Sequence, residues 1–213
     1  MLAVGFLSGK PYLATAQENA VGEYELKAAI LYNLTNFVEW PASAYPDSSA
    51  PTVLCVLGRD PFGGALTSSI PQEGGKGRRV DVRRVQPGKE IRDCHVLYIS
   101  SSERKTVGQI FSTLKGTKVL TVGEMSQFAL NGGMIQFSLI DRQVQFDINL
   151  DAASRGEIKI SSRLLALARI VHEQSSGLEG KKLSHSAQSF EFVNSPIPLS
   201  EFRTPTWADR GEN

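Results

Sequence analysis

The stretch "EYELKAAILYNLTNFVEW", residues 23–40, repeats its apolar positions with the spacing of one face of a helix. Leu26, Ile30, Leu31, Leu34, Phe37 and Val38 fall on one side. Glu25, Asn33, Thr35, Asn36 and Glu39 fall opposite, Tyr32 lies with them, and Lys27 alone intrudes on the apolar side. Pro41 stops the helix. The pattern then shortens. "PTVLCVLG" is an apolar strand, and "RDPFGGALTSSI" is a turn entering a helix. "RRVDVRRVQ" alternates as a second strand, and "CHVLYIS" is an apolar third. "SERKTVGQIFSTLKG" is a helix ending at Gly116, and "KVLTVGE" is a fourth strand. Strands interleaved with helices and apolar throughout predict a largely parallel sheet covered on both faces.

After this the period becomes two. Ile135, Phe137 and Leu139 alternate with Gln136 and Ser138. Beyond a turn at Asp141-Arg142, Val144, Phe146, Ile148 and Leu150 alternate with Gln145, Asp147 and Asn149. This predicts a C-terminal antiparallel hairpin with one buried and one wet face. Gly132 and Gly133, in "LNGGMIQF", precede a strand rather than a helix, so they read as a permissive turn and not as a phosphate cradle. Asp151 is placed to cap a short helix ended by Gly156. Ser161 or Ser162 is placed to cap a last helix, "RLLALARIVHE", with Leu164, Leu167, Ala168 and Val171 inward. The fold class is therefore α/β, a single compact domain over residues 23–172. A polar tail without sustained period, residues 173–213, reads as disordered.

A length of 213 residues suffices for one domain with a real core. The net charge of +1 gives no global pull toward nucleic acid or an anionic membrane. No apolar run reaches the roughly 20 residues that span a bilayer. "MLAVGFLSGKPYLATAQ" has a short apolar stretch, Leu2 to Leu7, and then Ala14-Thr15-Ala16, a small-x-small site that a signal peptidase accepts. Residues 1–16 are expected to be an export signal, abbreviated because Lys10 follows the apolar run, with the mature chain beginning near Gln17. The alternative is an unstructured tail on a cytosolic protein.

Candidate chemistry is sparse. Cys55 and Cys94 fit no zinc motif. Each lies in or beside a predicted strand, so they are either a disulfide, if the chain is exported, or two buried thiols. Cys94 and His95 are neighbours on a strand and point apart, so they do not form a nucleophile and its base. His172 and His185 have no second ligand at helical or strand spacing. No catalytic residue, metal site or cofactor is expected. The best ligand candidate is the loop after the first strand, with Arg59, Asp60, Phe62, Gly63 and Gly64, although its glycines equally serve a plain turn. The cations Lys76, Arg78, Arg79, Arg83 and Arg84 either bind an anion or acidic partner or protect an edge strand from aggregation. Tyr32, if exposed, adds a contact residue for a partner.

The segments "YELKAAILYNLTNFVEWP", "CVLGRDPFGGAL", "CHVLYIS" and "NGGMIQFSLIDRQVQFDINLDAASRGEIKISSRLLALARIV" resemble, in colinear order, the YfiR family of periplasmic regulators. The resemblance implies a compact α/β domain in the periplasm, often a homodimer. Such proteins repress an inner-membrane diguanylate cyclase by binding its periplasmic sensing region, so that release raises cyclic di-GMP and promotes biofilm. The resemblance also implies a disulfide between Cys55 and Cys94. Members with a second, later cysteine pair differ from this chain, in which no cysteine follows Cys94. The competing function is a periplasmic small-ligand sensor that feeds a membrane protein such as a histidine kinase, with residues 57–66 and the basic cluster as its site.

Overall fold

The structure, a computed structural model, describes residues 14–71, 78–140 and 143–172, with side chains from residue 22 onward. The expected tail 173–213, Lys76, His185, the turn at 141–142 and most of the expected leader lie outside the described residues.

Among the described residues nine strands form: β1 Val38–Glu39, β2 Thr52–Leu57, β3 Val80–Val85, β4 Val96–Ile99, β5 Leu120–Gly123, β6 Ile135–Ile140, β7 Gln143–Asn149, β8 Lys159–Ile160 and β9 Ala168–Val171. The helices are α1 Ala14–Phe37, α2 Ala65–Ser68, α3 Val107–Thr113, α4 Leu150–Arg155 and α5 Ser162–Leu165. Seven strands make one sheet in the order β3-β2-β4-β5-β6-β7-β9, parallel except for the β6–β7 hairpin. The fold is therefore α/β, with a mostly parallel sheet, helices against it and one antiparallel hairpin, as the periodicity predicts.

Central strands bury both faces, which explains the unbroken apolar runs of β2, β4 and β5. Leu54, Val56, Val96, Tyr98, Leu120 and Val122 face one core with Leu31 and Leu34 of α1. Val53, Cys55, Leu57, Leu97 and Ile99 face a second core with Ile110 of α3. These alternating sets follow from the two-residue period of a strand.

Four local expectations are corrected. The first helix ends at Phe37 rather than at Trp40. The residue before Pro41 is pushed out of the helical region, and Val38–Glu39 instead pair with Lys159–Ile160, while the Ser161 N–H donates to the Phe37 carbonyl at 2.9 Å. The predicted last helix stops after one turn, capped by Ser161. Ala168–Val171 then adds as a strand parallel to β7, because that edge offers unpaired backbone and Arg169 meets Asp147. Asn149, not Asp151, caps α4 by accepting from Ala152 N–H at 2.9 Å, while Asp151 faces His172 Nδ1 at 3.0 Å. The wet face of the hairpin ends at Gln145. Asp147 and Asn149 are buried, one against Arg169 and the other between Ala129 O and the start of α4.

The turn reading of "LNGGMIQF" gains a second cause. Gly132 has a φ of 109°, where glycine is favoured. Gly133 serves packing instead: a Cβ there would overlap the Phe128 ring, which also lies against Gly123.

Candidate functional site

The carboxyl ends of β2, β4 and β5 are where a parallel sheet leaves room for a ligand. In this chain α1 packs over that end, and side chains close it. Glu124, directly after β5, accepts from Tyr98 Oη at 2.7 Å and from Tyr24 Oη at 3.1 Å, and it pairs with Lys27. Lys27 also pairs with Glu23 one helical turn back. Burial pushes the Glu124 carboxyl up, but the hydrogen bonds from Lys27 and Tyr98 outweigh it and hold the group below the usual carboxylate range. Burial pushes Lys27 down, and its bonds to Glu124 and Glu23 more than reverse this. Burial first, then the bond to Glu124, raises the Tyr98 phenol far above its usual range. The polar intruder of the helical pattern is thus one half of a buried ion pair. Its partner Glu124 was not singled out by the sequence; the available signal was an acid immediately after an apolar strand.

The predicted ligand loop lies at the same end. Asp60 Oδ1 accepts from the N–H of Phe62 at 2.8 Å and of Gly63 at 3.3 Å. Arg84 donates to Asp60 Oδ2 at 2.9 Å and to the Gly63 carbonyl at 3.0 Å. Two of the N–H groups that an external anion would use are therefore occupied by the chain's own carboxylate. Phe62 is buried edge-on against Tyr98 and Tyr24. The Arg59 backbone N–H donates to Ser102 Oγ at 3.0 Å, and Arg59 and Gly64 are both exposed.

At the opposite end of the strands His95 is buried between two backbone groups. Val53 N–H donates to Nδ1 at 3.0 Å, so the ring proton sits on Nε2 and is donated to the Ala44 carbonyl at 3.1 Å. Burial depresses its pKa, and Arg78 and Arg83 depress it further, against the Ala44 contact. The ring stacks on Tyr45 at 4.3 Å, and the Arg78 guanidinium lies over that same tyrosine, 3.9 Å from its centroid. Beside this stack Cys55 of β2 and Cys94 form a disulfide, with Cα atoms 5.9 Å apart.

The expected partner residues separate by role. Arg78 donates to the carbonyls of Ser48 at 2.7 Å and Ala50 at 2.9 Å, and Arg84 clamps the loop just described, so both hold the fold. Tyr32 is half-buried against the α1 core rather than exposed. Arg83 on edge strand β3 and Arg79 just before it remain exposed, with Arg79 paired to Asp81 at 3.2 Å.

Fold and site together define a disulfide-bridged α/β domain whose buried charges are paired with one another. The chain belongs to the YfiR/HmsC-like family, whose model matches residues 24–169. In fold it is similar to the crystal structure of a conserved domain protein from Vibrio cholerae O1 biovar El Tor, with a TM-score of 0.50 and 11% sequence identity. That match covers 70% of this chain and 60% of the other. That family supports, in general terms, a periplasmic regulator of cyclic di-GMP signalling. Among the described residues no helix is long and apolar enough to cross a membrane.

Proposed function

We propose that this chain represses an inner-membrane diguanylate cyclase by binding its periplasmic sensing region, after export directed by residues 1–16. The observation that carries this reading is the family match across residues 24–169. The disulfide is consistent with an oxidising compartment. A repressor needs surface and two affinity states rather than catalytic groups. The exposed Arg79, just before β3, and Arg83, on it, supply the charged part of that surface for an acidic partner. Affinity capture of the tagged chain from membranes of the native host tests the reading: recovery of a diguanylate cyclase supports it, and recovery of membrane sensors of another class with no cyclase refutes it.

A second reading, a small-ligand sensor whose occupancy modulates the partner, draws support from the amino end of the sheet. The occupied N–H groups of the Asp60 loop move the favoured location to the cleft near His95.

A further inference from the structure

A cleft of about 520 Å3 opens at the amino ends of the central strands, beside the disulfide. Three separate segments deliver cations to it: Arg83 from β3, Arg92 from the 3-10 turn Lys89–Asp93, and Lys118 from the connection into β5. One carboxylate, Asp93, stands in its wall. Pro51 and Val53 give it an apolar side. Its volume is that of a small-molecule site.

The cations differ in how they are used. Lys118 is fixed, donating to Ser43 Oγ at 2.8 Å and facing Glu157 at 3.6 Å. Arg78, Arg84 and Arg169 are each bound to carbonyls or carboxylates. Arg83 and Arg92 make no hydrogen bond or ion pair of their side chains among the described residues. A solvated arginine needs no partner. What singles these two out is that they converge with Lys118 on one concavity, where like charges repel unless an anion lies between them. The positive field there is felt by a neighbour: beyond the effect of burial, Arg83 of the cleft and the nearby Arg78 push the His95 pKa down further.

We infer that the cleft bounded by Arg83, Arg92 and Lys118 binds a small organic dianion, bearing either a phosphate monoester or two carboxylates. Guanidinium forks suit both groups, and the apolar side takes the ligand's carbon skeleton. The inference rests on the ligand-sensing reading for its biological use, while binding itself is a property of the isolated chain.

Isothermal titration calorimetry on the purified full chain at low ionic strength tests it, using glycerol phosphate and succinate as probes and glycerol as the neutral control. Saturable binding of at least one dianion and none of glycerol is expected, and whichever dianion binds more tightly identifies the charged group. Arg83→Ala/Arg92→Ala should weaken that binding by at least about tenfold, because each arginine contributes a charge-assisted bond. Arg104→Ala, exposed and outside the cleft, should bind as the parent does. Unchanged melting temperatures establish that the variants are folded. Absence of saturable binding by either dianion overturns the inference, as does a double variant that binds like the parent or an Arg104→Ala variant weakened as much. Binding is read on purified protein and repression in cells, so failure of this site and failure of the repressor reading are told apart.

Discussion

At the residue scale, Lys27 shows why a polar side chain on an apolar stripe is informative. Its side chain is 4% exposed and that of Glu124 15%, so removing Lys27 leaves Glu124 charged and buried without a cation, held only by the hydroxyls of Tyr24 and Tyr98. Lys27→Met should lower unfolding stability by roughly 3–5 kcal/mol, the range for breaking a buried pair from one side. Adding Glu124→Gln should recover part of that loss, and urea denaturation of the single and double variants measures both. Because the Glu124 carboxyl is held low, its contribution is complete above the ordinary carboxylate pKa and is lost as pH falls through its lower folded value. His95 also has a lowered pKa, so its contribution is present above the ordinary imidazole value, about 6.5, and is lost as pH falls below it. Acid destabilisation should therefore begin with His95 and deepen with Glu124. His95→Gln can keep an acceptor for Val53 N–H and a donor for the Ala44 carbonyl without titrating, so it should abolish the upper step in thermal melts taken across pH. His95→Leu, which leaves the Val53 N–H buried and unpaired, should cost about 1–3 kcal/mol at neutral pH.

At the scale of elements, the disulfide ties β2 to the entry of β4 across a sequence separation of 39. Constraint of a loop that long in the unfolded chain contributes about 4 kcal/mol on the chain-entropy scale. Cys55→Ser/Cys94→Ser, or reduction with dithiothreitol, should lower stability by roughly 2–4 kcal/mol, and repression should weaken in parallel if the bond serves as an envelope-stress sensor. Gly133→Ala should destabilise by about 1–3 kcal/mol through overlap with the Phe128 ring, seen as a lower melting temperature. Most elements are legible in the sequence because period two, period near four and unbroken apolar runs each report a distinct burial pattern. Ala168–Val171 is not, since four residues satisfy helix and strand patterns alike and only the free edge of β7 decides between them. The buried Asp147 escapes because its partner, Arg169, is distant in sequence, and so does the burial of Asn149, whose amide donates to the distant Ala129 carbonyl.

At the scale of the whole molecule, the sheet has two ends with different uses. Its carboxyl end, the usual ligand crevice, is filled where Lys27 and Tyr24 of α1 meet Glu124 after β5. Its amino end keeps an open cationic cleft next to the disulfide. Of the cations in the cleft, only Arg83 belongs to the basic cluster visible in the sequence. Arg83 and Arg84 are adjacent on β3 and so face opposite sides of the sheet, one toward the cleft and the other toward Asp60. No spacing rule reveals that Arg92 and Lys118 join Arg83, because the topology alone brings those turns together. The family assignment supports the role proposed above, repression of a membrane diguanylate cyclase from the periplasm. Cyclic di-GMP measured in the native host, with the chain deleted and then restored, tests that role most directly. The account predicts a rise on deletion and a return to the parental level when the exported chain is supplied; an unchanged level in the deletion strain would contradict it.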